Sequence, residues 1–442
     1  MSLCRPPGLR RLSALRNNSR RSRQLMKIIV LGAGVVGVTS AFFLREEGHD
    51  VTVLERQPQV ASRTSRANGG QISVSGAEPW ANPAVPRQLL TWLGQDDAPL
   101  RMRLRADPHQ WAWCMRFLRE CAPWRTDRNM RSIIQLGLYS REMLCALRDR
   151  RLLNYEAQRR GILHLYGDAR ALSAAARSTE RMQECGCERR VIDVDEALQI
   201  EPALAAMRKQ LVGATYTAND ESGDAHAFTN ELARHCVSAG VRFAFDNAVT
   251  ALRRHGDAID HVEVTAADGS FERISGDAYV LACGCWSAQL ARSAGLNLPI
   301  YPVKGYSVTM PVADERAAWT VSLTDEQHKL VFSRLGTRLR VAGTAEIGGW
   351  TRELDAARGA TIVERVATLF PGAADTSRAV HWSGLRPMTP GNVPLIGRSP
   401  LCNLYFNTGH GSLGWTLACG SAAVLAGIIG NRPDIRFNFA GT

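Results

Sequence analysis

The stretch Lys27–Glu55, KIIVLGAGVVGVTSAFFLREEGHDVTVLE, decides the fold. It opens with a short apolar run, Lys27–Leu31, as a parallel strand buried on both faces requires. Gly32-Ala33-Gly34-Val35-Val36-Gly37 follows and fits G-x-G-x-x-G. Val38–Glu47 reads as a helix closed by Gly48, and Asp50–Glu55 as a second strand. Together they make a βαβ unit at the front of the folded chain. Gly32 permits a tight turn, Gly34 lets backbone approach a pyrophosphate, and Gly37 lets helix and strand pack closely. The helix N-terminus adds unpaired N–H groups and partial positive charge for that anion. Ile29, Val30 and Leu31 complete the dinucleotide-contacting set. Glu55 ends the second strand, eighteen residues beyond Gly37, where an acid accepts hydrogen bonds from ribose hydroxyls. A carboxylate there would repel a 2′-phosphate, which argues against NADP, although the adjacent Arg56 would suit one. The motif alone fits FAD and NAD equally.

Outward from this unit, residues 58–95 read as loop, punctuated by Pro58, Gly69, Gly70, Gly76, Pro79, Pro83 and Pro86. From about Pro99 to Arg159 the pattern is helical and aromatic. Phe228–Ala239 reads as an amphipathic helix, and Val241–Phe245 and Ile259–Thr265 as strands. Ala278–Ala282 is again a continuous apolar run, the mark of a central strand. Val303–Met310, Lys329–Ser333 and Arg338–Gly343 suit an antiparallel sheet, with a helix over Ala356–Leu369 and a last strand at Leu404–Asn407. Buried-strand runs near residues 28, 52 and 280 imply one domain that the chain visits repeatedly. The fold class is therefore α/β. A Rossmann-like nucleotide-binding domain (26–95, 205–298 and 385–442) interleaves with an α+β substrate domain on a mixed or antiparallel sheet (96–204 and 299–384).

At 442 residues, with 45% hydrophobic and 22% charged residues, the chain has material for more than one core. Residues 1–25 carry seven of the twelve net positive charges as arginine and no acid. They suit an organellar presequence, or sequence upstream of a start at Met26, and are expected to be disordered. No recognition module follows them, so nucleic acid is not an expected partner. The eleven cysteines are scattered and include C-x-C pairs at Cys185/Cys187 and Cys283/Cys285 without a histidine cluster, which points to reduced thiols and no metal site. From Gly411 to Asn431 there is no charge. Gly, Ser and Ala throughout that stretch favour a core helix over a membrane span.

Further stretches recur in a fixed order: TSRANGGQIS (64–73), APLRMRL (98–104), NDESGD (219–224), DAYVLACGCWS (277–287), YPVKGYSVTMP (301–311), WSGLRPMTPGNVPLIGR (382–398) and NTGHGSLGWTLACGS (407–421). With 27–44, these resemble the D-amino-acid dehydrogenase small-subunit family, within the D-amino-acid oxidase, glycine oxidase and sarcosine oxidase superfamily of FAD enzymes. The resemblance implies an extended, non-covalent FAD. A covalent link is not expected, since 382–398 holds no cysteine and 26–48 no histidine.

Ser65, Asn68, Gly69, Gly70 and Gln71 then form a loop close to the isoalloxazine ring. The resemblance places the backbone of Val249 at the adenine, and Ala282 and Gly284 beside the nucleotide. Gly409, Gly411, Ser412, Leu413 and Gly414 open the uncharged helix, whose positive end suits the ring edge where charge develops on reduction. His410, inside this glycine run, is a candidate for packing or for chemistry. Arg386 in GLRPMT is the expected carboxylate anchor, because a planar guanidinium can grip a carboxylate through two parallel hydrogen bonds. Tyr306 in KGYS is a second pocket candidate. Oxidase relatives place a tyrosine near Leu330, and this chain has none there, which leaves amino-group recognition open.

The implied reaction is oxidative deamination of a D-amino acid such as D-alanine, by hydride transfer to flavin, giving a 2-oxo acid and ammonia. The acceptor implied is a quinone or other respiratory carrier. The expected location is cytoplasmic, with peripheral attachment to the inner membrane as an option. An oxygen-using glycine- or sarcosine-type oxidase, an NAD-linked dehydrogenase and a non-catalytic flavin-binding subunit are the competing readings.

Overall fold

The computed structural model describes residues 25–92, 100–432, 434 and 437. The basic segment 1–24, the 93–99 stretch and most residues beyond 432 lie outside the described residues, and with them the expectation of disorder at the N-terminus. The βαβ unit forms the centre of a six-stranded sheet. Its order is Leu395–Arg398, Leu404–Thr408, Ala278–Leu281, Lys27–Leu31, Asp50–Leu54 and Arg242–Ala244. All neighbours run parallel except the Leu395–Arg398 edge. Val30 stands between Val280 and Val53.

The two-residue period of the central strand divides two cores. Ile28 and Val30 pack on the side of helices Val35–Glu46, Ala225–Ser238 and Gly414–Ile429, whereas Ile29 and Leu31 face the opposite side. There they meet Leu252, Val262 and Val264 of a three-stranded antiparallel sheet, Asn247–His255, Ala258–Ala266 and Phe271–Ile274. Val249 sits within the first of these strands, after Arg242–Ala244. Its alternation is obscured by register shifts at Val249/Ala251 and Arg253/Arg254. The first helix starts at Val35, three residues before the expected Val38, because extended Gly34 serves as its N-cap.

A nine-stranded mixed sheet forms the second layer. Val380–Met388, Tyr301–Pro311, Arg338–Ile347, Leu330–Leu335 and Ser322–Asp325 run antiparallel in that order and continue into Ile162–Tyr166, Gly213–Thr217 and Arg189–Ile192. Leu100–Met102 pairs in parallel with Arg338–Ile347. Gly213–Thr217 falls within the 205–298 stretch that the sequence groups with the nucleotide-binding domain. It pairs instead with Ile162–Tyr166 and Arg189–Ile192 in this second sheet. Trp319, Phe332 and Phe370 fill its core with mutual ring contacts, under a helix spanning Ala356–Leu369.

The uncharged stretch becomes helix Gly414–Ile429, buried along most of its length. A Cβ on Gly420 would stand 2.8 Å from the Ser140 Cα, so only glycine lets this helix approach Pro123–Arg150 so closely. The helix is long and apolar enough to cross a membrane, but 67% of that window lies inside the protein. It is a core helix here.

Candidate active site

A large cavity of about 1270 Å³ opens between the two sheets. At one end lies the glycine turn. Gly32 has φ +101°, a conformation that favours glycine, and a Cβ there would sit 2.8 Å from the Ala282 carbonyl oxygen. A Cβ on Gly37 would overlap the Gly32 carbonyl oxygen outright. The Glu55 carboxylate accepts the N–H groups of Ala33 (2.7 Å) and Gln57 (3.0 Å) while still lining the cavity. Ser65 Oγ accepts the Val35 N–H at 3.1 Å. Arg56 Cζ lies 3.7 Å from the Trp286 ring centroid, a cation–π contact at the cavity edge.

Gly32, Gly34, Val35, Val36, Glu55, Arg56, Val249, Ala282 and Gly284 all line this end. Ile29, Val30, Leu31, Ala33 and Gly37 lie behind this lining. The three strand residues have no exposure and their backbones are committed to sheet pairing. Ala33 and Gly37 shape the turn from behind.

At the other end, the 64–71 loop is pinned by hydroxyls of the second sheet. Ser307 Oγ donates to the Ala67 carbonyl and Ser333 Oγ to that of Gly69, each at 2.7 Å. Gln71 Nε2 reaches Ser322 Oγ at 3.0 Å, and Asn68 Oδ1 accepts the Gly70 N–H at 3.0 Å. Ser65, Asn68, Gly69, Gly70 and Gln71 all face the cavity. Opposite them run Gly409–Gly414. Gly409 and Gly411 have φ of +77° and +58°, and the following helix has no side-chain N-cap, so its positive end is free to meet a ligand.

Arg386 lies in the wall between these ends. Its Nη1 donates to the Thr344 carbonyl at 2.9 Å, and its Cζ stands 5.7 Å from the Trp80 ring centroid. Among the described residues no carboxylate pairs with it. Burial pulls its pKa down to about 10, so it remains cationic at neutral pH. Two features hold it that the sequence did not disclose. Gly305 leaves the space its guanidinium occupies. Thr344 sits at φ +51° where the strand register shifts between Lys304 and Tyr306, and this aims its carbonyl at the arginine. A β-branched residue inside a strand gives no sign of a left-handed conformation, and Trp80 is a lone loop aromatic. Neither carries a motif.

Tyr306 lines the cavity with its ring, but its hydroxyl donates to Glu346 Oε2 at 3.1 Å. That buried carboxylate also takes Arg103 at 2.9 Å and Lys304 at 3.5 Å. Burial and Glu346 together push the phenol well above its ordinary pKa. The hydroxyl is thus committed to the wall. Leu330 is buried against Gly343, so no polar group replaces the tyrosine absent there. His410 is buried, and burial pulls its pKa down to about 3, leaving a neutral ring whose Nε2 has no partner. Asn407 Oδ1, from another cavity-lining residue, is likewise unpaired. The remaining wall carries His164, Glu326 and Lys329. Burial alone would raise Glu326, but the His164 hydrogen bond (2.8 Å) and the Lys329 ammonium (2.6 Å) hold it well below the usual carboxylate range.

The family profile described as FAD dependent oxidoreductase (DAO) matches residues 27–428. The chain belongs to this FAD-dependent oxidoreductase family. It is 52% identical over 415 residues to a D-amino acid dehydrogenase of Dechloromonas aromatica, covering 94% of this chain and 99% of that protein. A D-amino acid dehydrogenase of Paramagnetospirillum magneticum is 47% identical over 410 residues, covering 92% and 96%. In fold, the chain is similar to glycine oxidase from Geobacillus kaustophilus, with a TM-score of 0.72 at 22% identity over 94% of this chain and 97% of that one. The cofactor of this oxidoreductase is FAD. The cavity fits it: a turn that only glycine can make stands at one end, and unpaired buried polar atoms and an uncapped helix start stand at the other.

Proposed function

We propose that this FAD-dependent oxidoreductase is a D-amino-acid dehydrogenase, converting a D-amino acid such as D-alanine to a 2-oxo acid and ammonia. The observation that carries this reading is Arg386, a cationic guanidinium in the cavity wall with no carboxylate partner of its own. A buried charge without a partner is costly, and an amino-acid carboxylate is the natural group to complete it. The names of the relatives support the D configuration.

In this reading Gly32, Gly34 and Glu55 hold the nucleotide half of FAD. The 65–71 loop and the 409–414 turn bracket its ring. When bound, FAD would supply a hydride acceptor for the substrate Cα. Arg386 grips the carboxylate and fixes which face of Cα is presented, with Trp80 covering it. Neutral His410 offers Nε2 as a hydrogen-bonding group without adding charge. The catalytic gain comes from orientation and preorganised dipoles, with little acid–base work by side chains. We further propose that a quinone or other respiratory carrier takes the electrons, with the protein on the cytoplasmic face of the inner membrane. Grouped by sheet, the FAD-binding domain takes 26–92, 218–298 and 389–432, and the described residues between those stretches form the substrate domain.

Anaerobic mixing with D- and L-alanine tests the reaction. Bleaching of the visible flavin band by the D isomer alone is expected. Equal bleaching by glycine or sarcosine, with hydrogen peroxide formed in air, would favour an oxidase of the glycine type.

A further inference from the structure

Five of the thirteen large apolar side chains exposed among the described residues fall between positions 104 and 124: Leu104, Trp111, Met115, Leu118 and Trp124. Trp111, Met115 and Leu118 recur at helical spacing on Pro108–Glu120 and form one narrow stripe. The opposite face of the same helix is committed inward. Trp113 Nε1 donates to the Met388 carbonyl at 2.8 Å, Trp113 stacks on Phe117, and Phe117 lines the cavity. The helix is thus apolar on two sides, and only one of them is used by the fold.

Charge surrounds the outer stripe with one sign. Arg105, Arg116 and Arg119 are exposed around it, beside Arg103 and Arg128, which pair with Glu346 and Glu120. The acids of this region among the described residues are engaged. Asp107 caps the helix by accepting the His109 N–H at 2.9 Å, Glu120 pairs with Arg125 at 2.6 Å, and Asp127 with Arg131 at 2.8 Å. Arg116 and Arg119 form no ion pair among the described residues. A helix with aromatic and aliphatic residues on one face and arginines beside them is built to lie in the plane of an anionic bilayer surface.

We propose that the outer face of Pro108–Glu120, with Leu104 and Trp124 at its ends, is the surface by which the protein docks on an anionic lipid bilayer. This deepens the peripheral-membrane reading above and rests on it. Trp111 and Trp124 sit at headgroup level, Met115 and Leu118 enter the acyl boundary, and the arginines meet lipid phosphates. One helix thickness, about 10 Å, then separates the bilayer from the cavity wall at Phe117.

The test is co-sedimentation of the FAD-loaded protein with phosphatidylglycerol-containing vesicles and with pure phosphatidylcholine vesicles. Wild type is expected to pellet with the anionic vesicles only, and less as salt rises. Met115→Ser/Leu118→Ser and, separately, Arg116→Gln/Arg119→Gln should each lower the bound fraction about tenfold. Both should keep wild-type D-alanine turnover with a water-soluble dye. Wild type left in the supernatant, or variants that pellet as well as wild type, would overturn the proposal. So would a dimer that Met115→Ser/Leu118→Ser converts to monomer, since a second copy would then cover the face. Because pelleting is read without turnover, failure of the dehydrogenase reading would appear only in the dye assay.

Discussion

The role proposed for Arg386 depends on neighbours that no motif announces. Its position in GLRPMT is legible as a recognition arginine, but its aim depends on Gly305 across the strand pair and on the left-handed Thr344. Truncating one partner of a buried hydrogen-bonded charge pair costs about 2–5 kcal/mol. Arg386→Leu should therefore lower kcat/KM for D-alanine by about 30-fold to several thousandfold, while FAD content is kept. Steady-state kinetics with an absorbance check of bound flavin would measure both. Gly305→Ala places a methyl where the guanidinium lies. It should raise KM with little change in melting temperature. His410 gives a pH prediction with a definite sign. Its folded pKa is depressed from 6.5 to about 3, so the unfolded chain binds the proton first as acid is added. Stability should fall as pH drops below 6.5 toward 3. His410→Gln should be the flatter of the two by on the order of 2 kcal/mol between pH 7 and 4.5. Thermal melts at the two pH values would show it.

At the scale of elements, the glycine turn was legible because Gly32 and Gly37 answer steric demands that only glycine meets. The strands at 27–31, 278–281 and 404–408 were legible because a strand buried on both faces must be apolar throughout. Asn247–His255 was not, since its bulges break the alternation and its outer face is charged. Leu100–Met102 was read as the start of a helical region because three residues carry too short a pattern to reveal a strand. Nor does the sequence say that the loop at 64–71 is held by serines more than two hundred residues away. Gly37→Ala tests the turn itself. The added methyl meets the Gly32 carbonyl oxygen, so the variant should purify with FAD occupancy reduced at least about tenfold, as read from the ratio of flavin to protein absorbance.

For the whole molecule, the two sheets matter because each supplies what the other lacks. The six-stranded sheet brings a dinucleotide turn, and the nine-stranded sheet brings a guanidinium and the hydroxyls that hold the ring loop. The repeated return of the chain to the first sheet was readable from apolar runs. The sheet to which Gly213–Thr217 belongs was not, since pairing partners at 162–166 and 189–192 are set by tertiary packing. The central claim joins both halves: bound FAD stands within reach of an amino acid held by Arg386. Anaerobic titration of the purified flavoprotein with D-alanine, and with L-alanine as control, tests that claim most directly. Stoichiometric bleaching of the flavin band by D-alanine, abolished in Arg386→Leu and absent with L-alanine, is the expected result. A yellow protein whose flavin no D-amino acid reduces, or an Arg386→Leu variant that bleaches as readily as wild type, would contradict it.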